Sequence, residues 1–171
     1  MAGTIAPVVT GLVCAGCGTE VPIASGALVC PRSSAGDRNH VLHFVSSTVP
    51  FRPADSANPF VAYRKWLAVD AYGASLGIDD AERERVIVEL DAQVATVAGT
   101  GFLRTPLSRA EDLSSALGFS ATGGVWIKDE TGNVGGSHKA RHLFTEMLRF
   151  LFAERAGISS VRPRLAISSC G

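Results

Sequence analysis

The chain has 171 residues, 46% of them apolar and 19% charged, with formal net charge zero. That length buries a genuine core, and the composition belongs to a folded protein rather than a disordered one. The charge balance excludes a broad basic field for nucleic acid or an anionic membrane, and no apolar run reaches the length of a membrane span. No positive segment precedes an apolar stretch at the N-terminus, so a cytoplasmic location is the expectation.

Residues 11–34 are rich in glycine, cysteine and short β-prone runs and read as a small hairpin module. Cys14-Ala15-Gly16-Cys17-Gly18 is a two-cysteine knuckle, and Cys30-Pro31 follows after a hairpin-sized gap. Tetrahedral zinc needs four ligands with tight spacing within each pair. A ribbon would place its fourth cysteine near Ser33, where none stands, so His40, His43 or Asp37 completes the set; the ligands assigned are Cys14, Cys17, Cys30 and His40. The competing reading is a metal-free hairpin with buried thiols. A redox pair fits less well, because no thioredoxin-like βαβ pattern surrounds the knuckle.

His40 to Val45 reads as a strand, and the proline-containing stretch 46–57 as a linker. Asn58-Pro59 opens a helix expected to run to about Leu76, with Asn58 as N-cap, Pro59 at the first helical position and Gly77 closing it. Asp79 caps the next helix, whose apolar side is Val86, Val88, Leu90, Val94 and Val97 and which ends near Gly99. Gly101 to Leu107 is extended, and Val125-Trp126-Ile127 is a strand. A helix spanning Ser137 to Ala156 carries Ala140, Leu143, Phe144, Met147, Leu148, Leu151 and Phe152 on one face. Leu165-Ala166-Ile167 is then a buried return strand, so strand, helix and strand imply a right-handed βαβ unit and an α/β fold.

Lys128-Asp129-Glu130 followed by Gly136-Ser137-His138-Lys139-Ala140-Arg141 carries the most specific chemical signal. Only three lysines occur, and two lie here. A lysine in the first turn of a serine-opened helix sits in positive potential that lowers an ammonium pKa. The bland alternative is a solvated surface lysine. The order and spacing resemble the active-site lysine segment of fold-type II pyridoxal-phosphate enzymes, which include threonine synthase and the tryptophan synthase β subunit. Asn58-Pro59-Phe60 with Tyr63-Arg64 is similar to the threonine-synthase-like branch, as is Asp37-Arg38-Asn39-His40-Val41-Leu42 after a cysteine module.

The resemblance implies that Lys139 is the Schiff-base lysine of a pyridoxal 5'-phosphate lyase or synthase acting on a small amino acid by β- or γ-elimination or replacement. It implies that Ser137 and His138 lie beside the cofactor and that Ser169, Cys170 and Gly171 begin the loop holding the substrate carboxylate. The implied fold is a partial fold-type II fold with helices on a parallel sheet, in three parts: a zinc-ribbon-like module over 1–45, a linker over 46–57, and the N-terminal part of the catalytic domain over 58–171. The phosphate loop of that family lies further along than this sequence reaches. A truncated, inactive portion needing a complementary chain or a homodimer is therefore expected. The alternative is a non-catalytic binding or scaffold protein with a structural zinc-ribbon-like head. A phosphate-loop nucleotide site is discounted, because Gly-Ser-His-Lys does not keep the Gly-Lys-Ser/Thr order that cradles a phosphate.

Overall fold

The computed structural model describes residues 7–158. A small β head is followed by a helical body and an exposed hairpin. In the head, β1 (Val9–Cys14) lies between β2 (Glu20–Val21) and β3 (Leu42–Ser46), and both pairings are antiparallel. The strand expected from His40 therefore begins two residues later. Residues 47–55 contain no helix or strand.

The helix expected from Asn58 to Leu76 is broken in two. Asn58 caps α1 (Pro59–Ala62), its Oδ1 accepting from the Phe60 amide at 2.8 Å. A 3-10 turn over Arg64–Trp66 and an extended Leu67 then separate α1 from α2 (Ala68–Ser75). Helical propensity does not predict this break; tertiary contacts override it. Phe51 stacks on Tyr63 at 5.8 Å between ring centroids and tilts against Trp66 at 4.7 Å. Within the same turn, Arg64 reaches Asp80 at 2.9 Å and Asp70 at 3.6 Å.

Asp79 caps α3 (Asp80–Ala98) by accepting from the Glu82 amide at 2.8 Å, and Gly99 closes it in the left-handed region. The buried face of α3 is Arg83, Val86, Ile87 and Leu90. Val88 and Val97, expected on the apolar side, are exposed, and Ile87 takes the central place. Next come β4 (Leu107–Arg109), α4 (Glu111–Ala116) and β5 (Trp126–Lys128), with β4 and β5 antiparallel. The last helix, α5 (Lys139–Arg155), buries Phe144, Leu148 and Phe152, all on the predicted face.

The expected parallel-sheet α/β architecture is not what forms. Among the described residues both sheets are small and antiparallel. Instead of covering a sheet, α5 packs against α2 and α3. Its phenylalanines join Phe60, Tyr72, Val86, Ile87, Leu90 and Phe102 in one helical core. Phe60, Phe102 and Phe144 meet with centroids 4.3–5.0 Å apart. The apolar stripe of a helix is equally satisfied by a sheet or by other helices, and here helices take that role. The return strand Leu165–Ile167 lies outside the described residues.

A buried ion pair ties α2 to α3. Arg83 Nε donates to Asp70 Oδ1 at 2.9 Å, and both residues are almost fully buried. Burial pushes the Asp70 carboxyl up against the pull of the Arg83 guanidinium. Arg83→Met leaves that buried carboxylate with only the longer 3.6 Å contact to Arg64 and is expected to cost about 3 kcal/mol in urea denaturation. Adding Asp70→Leu should recover most of the loss, since a buried pair replaced by apolar groups is close to neutral. A double variant no more stable than the single one would show that the pair is not the cause.

Candidate metal centre

One end of the head's sheet brings together four side chains from three stretches of the sequence: Cys14 and Cys17, Cys30, and His40. Cys14 is the last residue of β1 and pairs with Leu42 of β3. The Ala15 amide donates to the Val41 carbonyl at 2.9 Å, carrying the ladder one step past the strand. This register sets the residues just before β3 against the end of β1, and His40 is among them. The first knuckle closes when the Gly18 amide donates to the Cys14 carbonyl at 2.8 Å and the Cys14 amide to the Thr19 carbonyl at 3.0 Å. Gly18 has φ +69°, a left-handed turn that favours glycine.

Cys30 begins a second, shorter turn. The Ser33 amide and hydroxyl both donate to the Cys30 carbonyl, at 3.0 and 2.7 Å. Ser33, where a ribbon would carry its fourth cysteine, thus shapes the turn, and His40 stands as the fourth member of the cluster.

The thiol sulfurs of Cys14, Cys17 and Cys30 and a ring nitrogen of His40 all lie within 4.8 Å of one another. Cys14 Sγ is 3.5 Å from His40 Nδ1, and Cys17 Sγ is 3.7 Å from Cys30 Sγ. Zinc–sulfur bonds of about 2.3 Å and zinc–nitrogen bonds of about 2.0–2.1 Å give tetrahedral edges of roughly 3.8 Å between sulfurs and 3.6 Å between sulfur and nitrogen. Both contacts therefore match edges of such a tetrahedron. His43, the other histidine considered, is exposed on β3 opposite Val13 and takes no part.

The surroundings suit bound thiolates. Cys14 and Cys30 are each only 1% exposed, while Cys17 is open to solvent. Contact with the Thr19 hydroxyl at 3.1 Å, followed by the Thr19 backbone, lowers the Cys17 thiol to about 6. Burial pushes the Cys30 thiol up, offset in part by the Arg32 amide, which donates to its sulfur at 3.4 Å. A cation among three sulfurs supplies the charge that keeps such a buried thiol deprotonated. Asp37, weighed earlier as a ligand, lies one step further out: its Oδ2 is 3.3 Å from His40 Nε2.

The lysine segment has a different character. Lys139 is exposed and opens α5, and its amide donates to Ser137 Oγ at 3.3 Å. The helix thus starts two residues after the expected serine. His138 is exposed and Ser137 half-buried. The turn before them is braced from behind: Arg141 Nε donates to Glu130 Oε2 at 3.0 Å, and Thr105 Oγ1 to Glu130 Oε1 at 2.5 Å. Burial opposes ionisation of Glu130, but the Thr105 hydroxyl and the Arg141 guanidinium hold its carboxyl below the usual range. A cavity of ≈ 420 Å³ lies elsewhere, between the head and α2 and α5, with Leu12, Phe44, Trp66 and Tyr72 among its walls. Ser169, Cys170 and Gly171 lie outside the described residues.

Space at Gly16 gives a direct test of the ligand cage. A Cβ there would stand 2.2 Å from the Asn39 carbonyl oxygen, next to His40. Gly16→Ala is expected to force the knuckle away from His40, costing about 1–3 kcal/mol by chemical denaturation. Gly18→Asn, at a left-handed position with nothing within 4 Å, should be tolerated to within about 1 kcal/mol. Equal effects of the two changes would show that the Gly16 contact does not shape the site. Neither a family model, nor a curated protein, nor a solved structure matches this chain, so the metal centre stands on its geometry alone.

Proposed function

We propose that residues 7–47 bind one zinc ion through Cys14, Cys17, Cys30 and His40 as a structural site, and that the chain acts as a non-catalytic binding or scaffold protein built around this head. The observation that carries the reading is the convergence of four soft or borderline ligand atoms within 4.8 Å. Three thiolates and an imidazole select zinc over magnesium, calcium or manganese. Four protein ligands fill a tetrahedron and leave no position for a substrate or an activated water, which separates a structural from a catalytic zinc site.

Energetics support the same role. The buried side chains of the head include Val8, Val9 and Val21, with Cys14 and Cys30 themselves ligands. All of β3 is exposed or half-buried. A unit of about 40 residues with so little apolar interior needs a metal or another crosslink to fold. The helical core is built from other residues, so it does not share that dependence.

Purified protein is expected to carry about one zinc per chain by elemental analysis, and Cys30→Ser should reduce this to background. Chelation should remove amide protection from β1 and β3 in hydrogen exchange while α5 stays protected, because metal binding and folding are coupled in such sites. A head that stays protected after the metal is stripped would overturn the structural role.

A second reading keeps the lysine. One observation favours it: Lys139 opens a helix of 17 residues three positions after the Gly135-Gly136 turn, both glycines at positive φ. The exposure of Lys139 and His138 counts against an enclosed pyridoxal-phosphate site. If Lys139 is a cofactor lysine of a threonine-synthase-like enzyme, added pyridoxal phosphate should give a visible absorbance band that Lys139→Ala abolishes. A band that persists in Lys139→Ala, or none in the wild type, would remove this second reading.

A further inference from the structure

We infer that Asp37 is the positioning residue of the metal centre: by accepting a hydrogen bond from His40 Nε2–H, it commits Nδ1 of that ring to the metal. The inference rests on the zinc reading above and adds an outer residue and a tautomer to it.

His40 has two ring nitrogens that cannot both be free. Nδ1 faces Cys14 Sγ at 3.5 Å, inside the ligand cluster, and Nε2 faces Asp37 Oδ2 at 3.3 Å. A neutral imidazole carries one proton, and metal binding needs the unprotonated nitrogen. A carboxylate is an acceptor only, so Asp37 stabilises the proton on Nε2 and thereby the lone pair on Nδ1. The same pairing fixes the ring plane and raises the donor strength of the ligating nitrogen.

The carboxylate is itself held in place. Its Oδ1 accepts from the Asn39 amide at 2.9 Å, and the Asp37 amide donates to the Ser34 carbonyl at 3.1 Å. One oxygen therefore builds the turn into His40 and the other addresses the ring. This division of labour separates a structural role from a positioning one. An asparagine can keep the turn with its Oδ1, but its amide nitrogen then presents a donor to Nε2–H. Two donors face each other, and the ring is driven to the tautomer with hydrogen on Nδ1, which cannot ligate. If the amide rotates to satisfy the ring instead, the turn contact is lost.

The experiment compares wild type, Asp37→Asn, Asp37→Ala and His43→Ala in zinc competition against a chromophoric chelator. The tautomer of His40 is read in parallel by long-range nitrogen–proton NMR of the zinc-loaded protein. Wild type should show Nε2 protonated and Nδ1 metal-bound. Asp37→Asn and Asp37→Ala should each bind zinc about 10–100-fold more weakly, with His43→Ala unchanged. Asp37→Asn is isosteric, and its cobalt-substituted absorption spectrum is expected to remain that of a four-coordinate site, because the metal can still draw Nδ1 into ligation by shifting the tautomer back, at the cost in affinity that the competition reads. Zinc affinity in Asp37→Asn equal to wild type would overturn the inference while leaving the zinc site intact, since only the turn would then matter. Zinc bound through Nε2 in wild type would do the same. Failure of the wild type to bind zinc would overturn both this inference and the reading on which it rests.

Discussion

The register of β1 against β3 is the constraint from which the rest of the head follows. Leu42 stands opposite Cys14, and the Ala15–Val41 hydrogen bond extends that pairing beyond the strand. Two residues before Leu42, His40 is thereby delivered to the end of β1. A slip of one residue would turn every side chain of β3 to the other face and separate the ring from the sulfurs. Two hydrophobic positions, Val8 and Val9, anchor the start of this arrangement, and the Val8 amide reaches the Lys65 carbonyl at 2.8 Å to join head to body. The site is thus assembled by backbone pairing, in a head where apolar burial is thin.

The body shows a contrasting solution. Its stability comes from aromatic and aliphatic burial between helices, with Ile87, Leu148 and Phe152 fully enclosed. The charged cluster of Arg64, Asp70, Asp80 and Arg83 sits beside this core. Every polar atom of the Arg83 guanidinium has a partner, in Asp70, Ile78 and Asp80. That satisfaction reads as architecture: it sets how α3 lies against α2. Trp126, Ile127 and Leu107 on the β4–β5 hairpin are exposed, so the apolar runs there do not contribute to the core.

Helix caps and the cysteine cluster were legible for the same reason: each follows a local rule. Asn58, Asp79 and Gly99 act where their side chains or backbone freedom predict, because a cap satisfies amides within one turn of itself. The face of α5 was legible because its 3.6-residue periodicity is strong. By contrast, Val88 falls off the α3 face because two residues turn a helix by about 200°, and Val97 is exposed because it lies beyond the turns of α3 that the core covers. The outer role of Asp37 was not separable from a ligand role in sequence, where Asp37, His40 and His43 stand within a few residues of each other.

By itself the amino-acid sequence determined the helix caps, the cysteine cluster with a short list of residues that could complete it, and the glycine turn before Lys139, because spacing, capping and donor chemistry act over a few residues. Only the tertiary structure decided that α5 would rest on helices rather than on a parallel sheet, that Ser33 would shape a turn while His40 joined the cluster, and that Lys139 would lie exposed. Those outcomes depend on which surfaces meet across long stretches of chain, and an apolar stripe or a lone charge is compatible with more than one partner until packing selects it.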